Sequence, residues 1–372
     1  MRNEIIHNQT NQKTYTELFD KSYTSSETRL KIIKNNEKPV QNVRLLIQIL
    51  SVLLSIWIGI EFFLFIKFLE SGGNTIYIDR PPGVEGYLPI SSLMSLRYFI
   101  ATGEIHWAHP AGLFIFLAIV MISLTIGKSF CSWGCPIGFL SENLGAFGEK
   151  IFKRKIKMPR LLDIPLRSLK YFLLGFFLYV IFLAMDIISL RNFLDSPYNQ
   201  VADIKMYYFF ARISRFSLTV IIVLAFLSVI FKNFWCRYLC PYGALLGLAG
   251  LLSPVKIKRE ISSCIDCNKC SKVCPNFIDV AKKKYVISDE CTSCLNCIDA
   301  CPVKDTLYLK VLPSSKILNK KYVAILVVGI FMFITGIGMI SGNWKNKIKL
   351  EDYFYHMERI ETSEYSHPTG TN

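Results

Sequence analysis

Histidine is scarce in this 372-residue chain and missing from every long apolar stretch; the five residues are His7, His106, His109, His356 and His367. A haem held between two transmembrane histidines is therefore not expected. The first 44 residues contain no apolar run of the kind a cleavable signal peptide requires, which leaves the first apolar span as the insertion signal. Lysine and arginine are sparse in alternate loops, with three in 67–110 and four in 191–215, against eight in 1–44, nine in 128–170 and fifteen in 232–321. Charge distributed in this way reports membrane topology, so the net charge of +15 carries no implication of nucleic-acid binding. Cysteine is missing from the same lysine-poor loops and from the tail after Ile340. Disulfides are rare in reducing compartments, and the twelve thiols read as metal ligands.

Apolar residues are plentiful: the chain is 52% hydrophobic with a mean hydropathy of +0.34. Five stretches approach the roughly 20 residues that span a bilayer core. They run over about 45–66, 111–127, 171–190, 216–231 and 322–340. The fold class expected is a membrane all-α protein of about five transmembrane helices with a duplicated core, plus a small α+β two-cluster ferredoxin domain. The division is a polar amino-terminal segment 1–44, a four-helix core 45–255, a ferredoxin-type domain 256–315, a fifth helix 322–341 and a tail 342–372. By the positive-inside rule the amino terminus and the ferredoxin segment are cytoplasmic and the carboxyl tail lies outside an inner membrane.

Two cysteine runs carry the clearest chemistry: Cys264, Cys267, Cys270 and Cys274, then Cys291, Cys294, Cys297 and Cys301, each ending in Cys-Pro. Three thiolates at spacings of three turn around one iron–sulfur cube, and in two-cluster ferredoxins the fourth ligand of each run crosses to the other cube. The expected ligand sets for two [4Fe-4S] clusters are therefore Cys264, Cys267, Cys270 and Cys301, and Cys291, Cys294, Cys297 and Cys274. Zinc sites use two Cys-x2-Cys pairs rather than two complete four-cysteine runs. The remaining thiols form a matched pair of motifs, Phe130-Cys131-Ser-Trp-Gly-Cys135-Pro-Ile-Gly138 and Trp235-Cys236-Arg-Tyr-Leu-Cys240-Pro-Tyr-Gly243, each after an inward-running span. Such repetition points to an internally duplicated membrane core. Brought together, Cys131, Cys135, Cys236 and Cys240 offer four thiolates to an additional metal centre at the membrane edge; the alternative is that they pack as small buried thiols.

These motifs, in this order among the spans, resemble the membrane polyferredoxins that include NapH of periplasmic nitrate reduction, NosR of nitrous oxide respiration and the CcoG/FixG proteins. The resemblance covers about residues 43–312. The segment from Arg80 to Leu96, with His109-Pro-Ala-Gly112, is similar to NosR-type sequences. It implies an electron carrier at the cytoplasmic membrane, either passing quinol electrons toward respiratory reductases or serving the maturation of copper enzymes. The chain departs from NosR in lacking an amino-terminal flavin-binding domain, from CcoG/FixG in its short tail, and from NapH in its fifth span.

Other residues invite chemistry. Glu61 and Asp186 stand within or at the edge of apolar spans, toward the outer leaflet, and are candidates for taking quinol protons; the alternative pairs them with Lys67 and Arg191 or places them among headgroups. His106 and His109 are candidates for a metal or quinone headgroup, or are interfacial neighbours of Trp107. Leu140, Leu144, Phe147 and Ile151 give an amphipathic helix lying on lipid, the alternative being an ordinary solvated linker, and Lys282, Lys283 and Lys284 read first as a solvated surface loop and second as a small basic run able to guide an acidic partner. The function expected is electron relay between the quinone pool, or a membrane-edge thiolate centre, and a partner redox protein, in anaerobic respiration. Whether it counts as an enzyme depends on whether it is the quinol-oxidising subunit of an oxidoreductase. The second reading is a copper-reducing or metal-handling maturation factor for an extracytoplasmic metalloenzyme.

Overall fold

The computed structural model describes residues 33–314 and 316–365. The longer helices are α1 (Gln41–Glu70), α2 (Pro89–Thr102), α3 (Pro110–Ile126), α4 (Pro136–Phe152), α5 (Arg160–Tyr179), α6 (Ile187–Leu194), α7 (Ala202–Ala211), α8 (Arg215–Ile230), α9 (Pro241–Leu252), α10 (Lys321–Ile340) and α11 (Leu350–Arg359). Three of them are long and apolar enough to cross a membrane: α1, α10, and α5 continued by a π turn to Ala184. Helices α7 and α8 together satisfy the same test but bend by 83°, and α3 is a shorter apolar helix. The third span thus runs earlier than expected, over Arg160–Ala184 rather than 171–190. It breaks at Met185, which is extended, and Asp186 lies beyond it as the exposed N-cap of α6, accepting from Ser189 N at 2.9 Å.

Strands β1 (Val255–Arg259), β2 (Tyr285–Val286), β3 (Leu307–Val311) and β4 (Ile317–Leu318) form one antiparallel sheet in the order β2-β1-β3-β4. Ile257 pairs with Val286 on one side and Leu309 on the other, and all three are buried, as alternation along a half-covered sheet requires. The core beneath does not stop at the membrane helices. Ile257, Leu295, Ile298 and Leu307 share one apolar cluster with Ile122 and Ile126 of α3, with Trp133, and with Val323 and Val327 of α10. Residues 33–40 lie against the same unit: Asn35 N donates to Pro302 O (2.8 Å), Lys304 N to Ile33 O (2.9 Å) and Val40 N to the Asp299 carboxylate (2.9 Å).

Polar contacts fasten this unit to the helices. Lys170 of α5, fully buried, binds Glu290 at 2.6 Å, and Arg167 reaches the same carboxylate at 3.2 Å. Arg44 of α1 forms a bidentate pair with Glu142 of α4 (3.0 and 2.9 Å), and Lys320, at the foot of α10, binds Asp299 at 2.8 Å. At the opposite end Arg80 lies between Asp203 (2.6 Å) and Glu85 (2.8 Å), with Gly112 N donating to Glu85 at 2.9 Å. The tail, which carries no sequence motif, closes this end: Tyr353 is buried, and His356 and Tyr365 bond at 2.6 Å.

The two Cys-Pro motifs share one local geometry. In each, the amide of the second cysteine bonds at 3.0 Å to the carbonyl five residues back, Cys135 N to Phe130 O and Cys240 N to Trp235 O. In each, that cysteine is an N-cap whose sulfur accepts from the glycine three residues on, at 3.4 Å for Cys135 and 3.2 Å for Cys240. Proline at the first helical position suits a donor that has no partner there in any case. The glycines matter for room: a Cβ at Gly138 would overlap the Cys131 carbonyl, whereas at Gly243 it would meet Cys240 Sγ at 3.4 Å and Cys236 O at 3.5 Å.

Three outcomes follow. Lys170→Met leaves Glu290 buried beside a single partial partner and should cost on the order of 3 kcal/mol, read as a lowered unfolding midpoint and faster proteolysis within 255–314. Removing Arg212 from its exposed pair with Glu361 should cost under about 1 kcal/mol. Gly138→Ala should open Cys131 and Cys135 to a membrane-permeant maleimide, while Gly243→Ala should leave labelling near that of the parent.

Candidate functional site

Each cysteine run wraps by the same backbone device. Asp266 and Asn268 in the first run, and Ser293 and Leu295 in the second, hold φ of 49°, 56°, 47° and 64°. Left-handed conformations at non-glycine residues cost about 1–2 kcal/mol each and persist where the surroundings demand them. They curl each segment so that three thiols face one space. Cys264, Cys267 and Cys270 line a cavity together with Cys301, and Cys291, Cys294 and Cys297 line another together with Cys274. Each run thus delivers its last cysteine to the other's cavity.

The donor chemistry of both cavities fits an iron–sulfur cluster. Each presents four thiols and no competing carboxylate or imidazole among its lining residues. Among the described residues no three His, Cys, Asp or Glu side chains close to single-ion distances, which is unlike a tetrahedral zinc site with its short metal–sulfur bonds. Burial pushes the Cys294 thiol up to about 12, against the opposing pull of Arg44, and raises Cys291, Cys297, Cys270 and Cys301 as well. Empty, these sulfurs keep their protons; filling the cavities expels them, so loading couples to proton release.

The second cavity abuts the first Cys-Pro motif directly. Trp133, fully buried, donates its indole N–H to Ser293 O at 3.1 Å; Ser132 Oγ donates to Thr292 O at 2.8 Å; and Ser293 Oγ donates to Ile126 O at 2.9 Å. Gln48 Nε2 donates to Ser132 O at 2.8 Å from the other side. Gln41 Nε2 donates to Cys294 O at 3.1 Å. The loop between Cys131 and Cys135 is therefore hydrogen-bonded to the loop between Cys291 and Cys294. Sequence gave no sign of this seam beyond the Ser-Trp pair lying between two cysteines.

Cys131, Cys135, Cys236 and Cys240 lie within electrostatic reach of one another, and buried Lys128 lies within reach of Cys131, Cys240 and Cys236. Contacts with the helices fix where the two loops sit. Ser51 Oγ bonds to Gly134 O, and Ser51 is ten residues along α1, roughly 15 Å at 1.5 Å per residue. Tyr242 stacks on Phe116, ten residues before the end of α3 (ring centroids 5.7 Å apart), while Gly250 approaches Gly127 and Lys128 beyond that end. Both loops dip between the helices and return along α4 and α9. The sequence shows the repeat but not that its two copies turn inward.

The remaining candidates separate. Glu61 is half-buried on α1 and, among the described residues, has no hydrogen-bond or ion-pair partner; Lys67 binds Glu70 at 2.7 Å instead. Asp186 is held below the ordinary carboxylate range by hydrogen bonds from Ser189, and Arg191 pairs with Asp195 at 3.6 Å. His106 and Trp107 stack and share Asp195 at 3.1 and 2.9 Å, while His109 bonds to Asn199 O at 2.5 Å beside Arg80. These contacts match the interfacial alternative for His106. Leu140, Phe147 and Ile151 are more than half exposed, whereas α4 packs through Ser141, Gly145 and Gly148. Lys282 pairs with Asp279 at 3.3 Å.

A family described as a 4Fe-4S binding domain matches the chain twice, over residues 108–159 and 215–260, and a 4Fe-4S dicluster domain matches residues 256–302. The chain is 42% identical over 313 residues to the putative electron transport protein YccM of Escherichia coli (strain K12), covering 82% of this chain and 87% of that protein. It is 29% identical to the ferredoxin-type protein NapH of Haemophilus influenzae, over 50% of this chain and 64% of the relative. It is also 29% identical to protein NirI of Paracoccus denitrificans, over 58% of this chain and 31% of the relative. No solved structure matches the chain. With its cysteine-lined cavities, its apolar helices and these relatives taken together, the chain belongs to the NapH-type polyferredoxins, membrane electron-transport proteins with 4Fe-4S domains.

Proposed function

We propose that the protein relays electrons between the quinone pool, or a centre held by the inward-turning thiols, and a partner redox protein, through two [4Fe-4S] clusters. The observation that carries this reading is the seam from Trp133 and Ser132 to Ser293 and Thr292, which ties the first Cys-Pro loop to the second cavity. The clusters, held by Cys264, Cys267, Cys270 and Cys301 and by Cys291, Cys294, Cys297 and Cys274, would accept and release single electrons. The chain's own part is to hold thiolates at fixed spacing, exclude water and shorten the path. The shared N-cap geometry and the double family match support a duplicated four-helix core, to which this reading adds a fifth span at 322–341. In this reading the cluster unit is cytoplasmic, the tail lies outside the inner membrane, and the pathway is anaerobic respiration.

Cys131, Cys135, Cys236 and Cys240 supply four thiols around the Lys128 cation, which offsets thiolate charge. A copper-handling role would draw on the same four thiols and so competes with the relay reading for one site. Glu61, unpartnered on α1, is the acid placed to take a proton from a bound quinol; Asp186, exposed and capping, is the weaker candidate.

Redox titration by electron paramagnetic resonance on the purified protein tests the relay. Two [4Fe-4S] signals are expected. Cys274→Ser should perturb the same signal as Cys291→Ser, and Cys301→Ser the same signal as Cys264→Ser; pairing within each run instead would overturn the crossed ligand sets. Glu61→Gln should slow quinol-dependent cluster reduction in membranes about a hundredfold or more, the lower end of the range for loss of one proton-transfer group. An unchanged rate removes Glu61 from the proton path.

A further inference from the structure

The two cavities differ in what surrounds them. The second is backed by the membrane helices through Trp133 and Ser293, whereas the first has a solvent-exposed cysteine on its rim. Of the twelve cysteines Cys267 alone is exposed, and it lies on that rim. The neighbouring surface is apolar where it borders the cysteine, with Ile261 56% and Ile265 47% exposed. Around this lies cationic surface. Lys269 and Lys272 follow Cys267 on the same segment, and Lys304 follows Val303, which lines the cavity; all three are exposed with no ion-pair partner among the described residues. Lys155, at the end of α4, adds another exposed cation by bonding to Lys272 O at 2.7 Å. The nearby acids are engaged, Asp266 with Arg259 at 3.4 Å and Asp279 with Lys282 at 3.3 Å; Asp305 is the exception.

We infer that the face around Cys267, formed by Ile261, Ile265, Lys269, Lys272 and Lys304, docks a small acidic electron-carrier protein whose own redox centre lies near its surface. The apolar centre supplies close contact and the lysine ring steers encounter, since complementary charge acts chiefly on the association rate. One electron crosses per encounter: the carrier's centre is oxidised by one electron and the cluster reduced by one, or the reverse. No bond forms or breaks and no proton moves. The inference rests on the reading that the first cavity holds a [4Fe-4S] cluster. The lysines identified here are not the run 282–284 that stands out in the sequence, part of which is tied up by Asp279.

The test uses the full-length, cluster-loaded protein in nanodiscs of neutral lipid, mixed in a stopped-flow instrument with a reduced acidic [2Fe-2S] ferredoxin, and separately, after dithionite reduction of the clusters, with oxidised cytochrome c as a basic control. Electron exchange with the ferredoxin should fall steeply between about 0.01 M and about 1 M salt, as the screening length shrinks from about 30 Å to about 3 Å. The Lys269→Glu/Lys304→Glu double variant should lower the low-salt rate about tenfold or more and raise that of cytochrome c. Equal rates for the two carriers, or indifference to salt and to charge reversal, overturn the docking face while dithionite-reducible cluster signals leave the relay reading intact. Absence of those signals overturns the relay reading instead. Loss of the ferredoxin reaction on moving to anionic-lipid nanodiscs would show that the lysines face headgroups, and overturns the docking face as well.

Discussion

The carboxylate of Glu290 holds the architecture together. It stands one residue before Cys291, is nearly sealed from solvent, and is bound by the buried ammonium of Lys170 with Arg167 beside it. Removing two charges from water is unfavourable unless each finds a close partner, so this pair forms only when the cluster segment is seated against α5. Asn276 donates to Glu290 O at 2.6 Å and accepts through its own carbonyl from Arg237 at 2.8 Å, which extends the anchor to the second Cys-Pro motif. One ion pair thus fixes the height of the second cavity relative to both inward-turning loops. Electron transfer is sensitive to distance, and here distance is set by electrostatics rather than by the sheet.

Helix ends serve as sulfur mounts in the membrane core. Cys135 and Cys240 close their own loops through the backbone and cap the following helix through the side chain. The amides at a helix start favour negative charge, which makes them suitable supports for thiolate. The two copies are nevertheless unequal: Gly138 is confined by the Cys131 carbonyl and Gly243 is not, and the first copy meets the cluster segment at Ser293 and Thr292 whereas the second meets it at Asn276. The first copy therefore borders the second cavity, while the second copy, through its own Arg237, also pairs with Asp163 of α5.

Much of this was legible in the residue order. The cysteine spacings led to the crossed grouping in the cavities because three-residue intervals leave a curled segment few ways to point its sulfurs. The apolar stretches gave α1 and α10 closely, and the third only approximately, since the amphipathic stretch at 160–170 forms part of the same helix. What stayed hidden were features made by distant partners. Lys170 reads as one basic residue among several until Glu290 meets it, and Arg80 as one residue of a loop until Asp203 arrives 123 positions later. The loops of Cys135 and Cys240 show in the sequence only as a repeat, because hydropathy measures composition along the chain, not the direction in which a loop turns.

Residues 33–40 lie along 299–304, so a segment made early in synthesis is completed by one made late. Asn35 Nδ2 donates to Cys301 O at 3.0 Å, and Cys301 borders the first cavity. Until the ribosome has delivered the second cysteine run, the strip ahead of α1 has nothing to pair with, although α1 itself is ready to insert. Insertion into lipid and closure of the cluster unit are therefore separated in time by some 260 residues of translation. The helices before residue 255 are thus made before this ring of contacts can close, and α10, which packs on the same core, is made after it.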